Sequence, residues 1–336
     1  MDSFLQGAIH PERYHGPRRD LSAARRSPFF EGWYYKLIDA AEQHRYAIIP
    51  GVSLGRNAET RHAFVQVLDG TLAHAAYHTY PLEQFHATPG ALDVHIGPNR
   101  FRWDRISLNI DSPEQAISGE VRFSPLIPWP VRFASPGVMG WYAWVPFMEC
   151  YHGVLGLDHA LEGKLRVNGT GIDWDGGRGY IEKDWGRSFP RAWVWIQTNH
   201  FEQPGTSLTA SVAMIPWLSS AFRGFVVGLW HGHTLYRFAT YTGARIQKLE
   251  IADQQVEWTI RNRTARLQIH ARRTHGGVLR GPTVADMGVR VPETLLGQVT
   301  ARLSRIDGQR EAILFEGTGR NAGIEVVGDV DRLLKG

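Results

Sequence analysis

The chain has a single cysteine, Cys150, in 336 residues. No internal disulfide can form, which removes the disulfide-stapled secreted class and suits a reducing, cytoplasmic setting. No apolar run reaches the roughly 18 residues a helix needs to span a bilayer. The opening stretch, MDSFLQGAIHPERYHGPRRD, lacks the apolar core of a secretory signal. The expectation is a soluble, cytoplasmic protein, peripheral to a membrane at most, with only transient contact with its surface. A dense basic block is missing too: 37 basic against 33 acidic residues leave a net charge of +4. Nucleic acid is therefore not an expected partner. The most basic patch, Arg261, Arg263, Arg266, Arg272 and Arg273, reads as a solvated strand face or a weak attraction to anionic lipid.

Several catalytic signatures are absent as well. There is no GxSxG elbow, and GGRG at Gly176–Gly179 has no helix after it to make a phosphate loop. His231 and His233 would share a strand face, but no third ligand stands at a recognisable spacing, so no metal is expected. Cys150 lies two residues from His152 with nothing in the sequence to activate it as a nucleophile.

What the chain has in quantity is aromatic residues and turn formers: 12 Trp, 36 Gly and 18 Pro. Short β-type segments such as FFEGWYYKLID, RYAIIPGVSLG, HAFVQVLDG and RFRWDRISLNI follow one another, punctuated by Gly, Pro, Asn and Asp. Long amphipathic helical patterns and short-period repeats are lacking. The pattern predicts an all-β, antiparallel barrel or sandwich fold. Residues 1–27 read as an irregular arm, 28–186 as a first β unit and 187–336 as a second. Ile127–Cys150, with four prolines and three tryptophans, cannot be a central strand. It is either a cap over a barrel mouth or a plug that fills space.

The richest stretch is Tyr180–Asn199, YIEKDWGRSFPRAWVWIQTN. If Ile181–Trp185 is extended, Glu182 and Asp184 point to one face and Lys183 to the other, because strand side chains alternate. Two carboxylates within reach repel, which raises one pKa and makes a general acid. The alternative is a set of surface charges flanking a turn.

FEGWYYK (Phe30–Lys36) and EKDWG…FPRAWVWIQTN resemble the tocopherol cyclase family, with broad similarity over about residues 28 to 245. The wider group of double lipocalin-like proteins, which includes carotenoid hydratases and Diels–Alder-type cyclases, shares the first motif. The resemblance implies two lipocalin-like antiparallel barrels packed together, and a small apolar isoprenoid as substrate. The family reaction protonates the side-chain alkene of a prenylated quinol and closes a chromanol ring, with no redox cofactor. Carried over to this chain, Glu182, Asp184 and Glu31 are the candidate catalytic acids. Trp33, Tyr34, Trp185, Trp193 and Trp195 are the candidate aromatic wall, and Lys183 would orient a carboxylate or the phenol. Each also has a structural alternative: Trp33 and Trp185 as barrel seals, Glu31 as partner of Arg187 or Arg191. A non-catalytic lipid carrier and a hydratase stay open beside the cyclase, as does the oligomeric state.

Overall fold

The computed structural model describes residues 10–16, 28–146, 148–217 and 220–335. The expected arm over residues 1–27 lies outside the described residues except for 10–16. Among the described residues, no helix is long and apolar enough to cross a membrane.

Chain contacts define two compact units. One runs to Phe189 and takes back Val278–Arg290; the other holds Pro190–Gly277 and resumes at Val291. The sequence pattern places the boundary between its two β units after residue 186, and no local signal in it marks the return of 278–290. Specific bonds tie that segment to the first unit. The Arg280 N–H donates to Gln66 Oε1 at 2.7 Å, and the Arg280 guanidinium lies 4.7 Å from the Tyr77 ring centroid. Thr60 Oγ1 donates to the Ala285 carbonyl at 2.9 Å.

The first unit opens with a meander: β1 (Phe29–Ile38), β2 (Arg45–Leu54), β3 (His62–Asp69) and β4 (His74–Tyr80). Five shorter strands follow: β5 (Phe85–Ala87), β6 (Asp93–Ile96), β7 (Asn99–Arg102), β8 (Arg105–Asp111) and β9 (Ala116–Phe123). β10 (Cys150–Val167), β11 (Thr170–Asp173) and β12 (Arg178–Gly186) complete it. The order across the sheet is β4-β3-β2-β1-β12-β10-β9-β8-β7-β6-β5, with β11 on β10. β12 thus lies between β1 and β10 and joins the two meanders, antiparallel to both.

Alternation explains most of these strands. Ile106, Leu108 and Ile110 of β8 and Ile117, Val121 and Phe123 of β9 enter the core, while their neighbours face out. β1 and β12 differ in being buried on both faces over most of their length. Their polar side chains are consequently held in dry surroundings, where an unpaired charge is costly. Pro50 falls inside β2 despite the rule against proline in central strands. It has no N–H to give, and the β1–β2 ladder lapses at Trp33 and Tyr34, which face Pro50 and Ile49.

The second unit contains β13 (Ala192–Thr198), β14 (His200–Phe201), β15 (Ser207–Trp217), β16 (Ser220–His231), β17 (Thr234–Ala239), β18 (Arg245–Ala252), β19 (Gln255–Arg261) and β20 (Ala265–Arg272). β21 (Gly277–Gly281) begins the segment that returns to the first unit; a long hairpin, β22 (Val289–Asp307) and β23 (Arg310–Gly328), and the short helix α1 (Val330–Lys335) follow it. Its path is β17-β16-β15-β13-β23-β22-β20-β19-β18. Each unit packs a separate apolar core, around Trp33, Tyr35 and Trp174 in the first and Trp258, Leu267 and Leu303 in the second. The all-β, antiparallel expectation holds. Among the described residues each hydrogen-bonded path is open, with no ladder joining β4 to β5 or β17 to β18.

Candidate active site

Three adjacent strands, β1, β12 and β10, position the residues singled out from the sequence. Directly opposed residues share a sheet face. Tyr34 stands opposite Glu182, and His152 opposite Asp184. Trp33 stands opposite Lys183, and Glu31 opposite Trp185. Period 2 therefore sorts the group into two sets on opposite faces of one sheet.

The first set is Tyr34, His152, Tyr180, Glu182 and Asp184. His152 Nδ1 lies 2.9 Å from Asp184 Oδ1, and Nε2 lies 3.8 Å from Glu182 Oε2. The Tyr180 hydroxyl donates to Glu182 Oε2 at 2.6 Å. Burial works against a charged imidazole here, but Asp184 and Glu182 outweigh it and push His152 up to about 9. At neutral pH the ring is an imidazolium bridging two carboxylates. The expectation of two acids in mutual repulsion is thus modified: a histidine from β10 stands between them and shares its charge with both.

Beside this set, a Cβ on Gly51 would lie 2.4 Å from the Phe64 ring and 2.7 Å from the Glu31 carbonyl. Only glycine lets the backbone and that ring approach so closely. Cys150 Sγ lies 4.0 Å from Asp184 Oδ1. Burial, with Asp184 and Glu149 nearby, pushes the thiol well above its usual range, so it is no thiolate nucleophile.

The second set is Glu31, Trp33, Lys183 and Trp185, closed by the described N-terminal residues 10–16. Lys183 Nζ lies 2.6 Å from Glu31 Oε1, both side chains fully buried. It also donates to the carbonyls of Pro11, at 3.0 Å, and Arg13. The His15 N–H donates to Glu31 Oε2 at 2.9 Å, and the His15 ring stacks on Trp185 at 4.2 Å. The ammonium sits 5.1 Å from the Trp33 ring centroid and 4.7 Å from that of Trp185. Burial raises the Glu31 carboxyl, but Lys183 and His15 reverse this and hold it below its ordinary value. Burial lowers Lys183 to about 8 against the pull of Glu31.

These contacts correct three expectations. Glu31 is no companion of Glu182 and Asp184; it is the ionised half of a buried pair on the opposite face, poorly suited to give up a proton. Its partner is Lys183 rather than an arginine such as Arg187 or Arg191, the pairing offered as its structural alternative. Trp33 and Trp185 turn their rings to that lysine, leaving Tyr34 as the one member of the expected wall on the acid face of this sheet. Lys183 does orient a carboxylate, that of Glu31. Trp193 and Trp195 belong to β13 of the second unit. There Trp193 Nε1 donates to Glu325 Oε2 at 2.6 Å, and Trp195 covers Gly323, where a Cβ would lie 2.6 Å from its ring.

Sequence reasoning missed His152 and Tyr180. Tyr180 could have been found, since it continues the two-residue spacing of Glu182 and Asp184. His152 could not, because only the pairing of β10 with β12 brings it opposite Asp184. Ligand atoms of His152, Glu182 and Asp184 lie within 4.8 Å of one another, close enough in principle for a metal ion. Each ring nitrogen instead addresses a different carboxylate, and the ring favours its proton. A metal would take His152 as the neutral imidazole, so proton sharing and metal binding compete for the same ring nitrogens.

Fold and site together define a class: an all-antiparallel, two-unit β protein with a partly buried histidine–carboxylate cluster on one face of its first sheet. Residues 104–328 match the model of the tocopherol cyclase-like family. The chain belongs to that family. It is 26% identical over 268 residues to the chloroplastic tocopherol cyclase of Zea mays, covering 74% of this chain and 52% of that protein. The chain spans about half the length of the curated relatives it matches. Among solved structures, CghA with bound Sch210972 superposes with a TM-score of 0.55 at 10% identity, covering 90% of this chain and 89% of that one. CghA alone gives 0.53 with the same coverage. At such identity the likeness establishes the shared fold.

Proposed function

We propose that this protein is an acid-initiated cyclase that closes a ring on a prenylated quinol or a related isoprenoid. The carrying observation is His152 bridging Glu182 and Asp184. Ring closure is an isomerisation: the alkene carbon gains a proton, the phenol oxygen attacks the tertiary cation, and the phenol loses its proton. The cluster must therefore deliver one proton and recover one per turnover. An imidazolium hydrogen-bonded through Nδ1 to Asp184, with Nε2 in ion-pair range of Glu182, is suited to that relay, delivering from one side while the other accepts the phenol proton. The Tyr180 hydroxyl fixes Glu182, and the pair of carboxylates leaves a net negative site that favours a nearby cation. Tyr34 adds an aromatic group on the same face.

The test is incubation of purified protein with prenylated quinols, followed by mass spectrometry of bound and released species. The expected product has the mass of its substrate and a shifted retention time, and it disappears in His152→Asn, Glu182→Gln and Asp184→Asn. Lipid recovered bound but unchanged would assign a carrier. A gain of one water would assign a hydratase.

A further inference from the structure

The connection between β9 and β10 carries a feature that the proposed chemistry does not use. Residues 125–148 contain one basic residue, Arg132, and no acidic one, among repeated prolines and aromatics. The segment is anchored at its base, where Ile127 and β10 exchange backbone bonds: Leu157 N–H to the Ile127 carbonyl at 2.7 Å, and Ile127 N–H to that of Asp158 at 3.0 Å. Trp129 is buried beneath it. Beyond that anchor the chain turns its largest apolar side chains outward: Phe133 is 76% exposed, Trp141 47% and Val131 39%. Two ring pairs hold the patch together. Phe133 lies 5.3 Å from Trp144, whose Nε1 donates to the Phe133 carbonyl, and Trp141 stacks on Tyr142 at 4.1 Å.

Exposed Leu or Val scattered singly would need no explanation. Here aromatic rings are grouped with an exposed arginine, and the connection's one carboxylate, Glu149 at the foot of β10, accepts from the Ser188 hydroxyl at 2.8 Å. Tryptophan, tyrosine and phenylalanine favour the boundary between lipid headgroups and acyl chains, and arginine favours headgroup phosphate. We infer that this connection is a docking surface for a lipid bilayer, with Phe133 and Trp141 entering the interface and Arg132 meeting anionic headgroups. It runs directly into the site strand: the Tyr151 hydroxyl donates to the Val145 carbonyl at 2.8 Å, and Tyr151 stacks on Trp185 at 5.5 Å. The inference stands on exposure and composition, and vesicle binding is measured without any prenylquinol, so its failure and failure of the cyclase reading are separate results.

The full chain is mixed with vesicles of phosphatidylcholine alone and of equal parts phosphatidylcholine and phosphatidylglycerol, and sedimentation and tryptophan emission are followed. Wild type should co-sediment, more strongly with phosphatidylglycerol, and its emission should shift to the blue. Phe133→Ala with Trp141→Ala should weaken binding at least about tenfold, and Arg132→Glu should weaken it about fivefold or more on the anionic vesicles only. Unchanged thermal melting of both variants would show that the loss is not unfolding. Wild type that binds neither vesicle, or a double variant that binds as tightly, overturns the inference. So does a self-association that the double variant abolishes without any vesicle binding, since the patch would then be an interface between copies.

Discussion

The proton on His152 is the most discriminating quantity in the first unit. Its ordinary value is 6.5, and the two carboxylates carry it to about 9 against the cost of burial. That difference corresponds to about 3 kcal/mol in favour of the charged ring. The sign follows from linkage: the folded value is raised, so the stabilisation is complete below pH 6.5 and is lost as pH rises through about 9. Asp184→Asn removes the nearer carboxylate, at 2.9 Å, and should lower the His152 value by roughly one to two pH units. Direct titration of the ring by NMR reads this shift. Urea unfolding of both proteins from pH 6 to 10 reads the coupled stability. Lys183 and Glu31 titrate in both chains and cancel in the difference, so the gap between wild type and Asp184→Asn should be widest below pH 6.5 and close above about 9. A ring that titrates near its ordinary value in wild type, or a gap that does not change with pH, would refute the bridging imidazolium.

Other consequences are equally direct. Lys183→Met strands a fully buried Glu31 carboxylate and should cost about 3–5 kcal/mol in urea unfolding, whereas Lys183→Met with Glu31→Gln should recover a large part of that loss. Equal losses in the single and double variants would contradict the pairing. Gly51→Ala should cost about 1–3 kcal/mol, because its Cβ would meet the Phe64 ring at 2.4 Å and backbone at 2.7 Å; an unchanged melting temperature would show that the close approach is relieved without penalty. Cys150 should resist maleimide at pH 8 in the native protein and react promptly once unfolded, since burial keeps it a thiol. Rapid native labelling would show an open site around it.

The site was partly visible in the chain. Glu182 and Asp184 on one face and Lys183 on the other follow from alternation alone, and the register bears this out. The same alternation also separates Trp33 and Trp185 from the acids, a consequence that grouping residues by proximity in sequence obscured. Glu31 was misassigned because its environment depends on two distant pieces of chain. Lys183 faces it from β12, and His15 reaches it from the N-terminal segment. Nothing in FEGW distinguishes a carboxylate locked in an ion pair from one poised to donate.

Composition, turn punctuation and two-residue periodicity determined the all-antiparallel class, because those signals act over a few residues and each strand satisfies them locally. The motifs determined the family for the same reason, being contiguous in the chain. Tertiary structure alone decided which charges meet. It set β12 between β1 and β10, brought His152 opposite Asp184, and sealed Lys183 against Glu31 with the carbonyls of Pro11 and Arg13. Electrostatic environment depends on distance and burial in space, and strand order is settled by how the whole sheet buries its faces rather than by any one stretch of sequence.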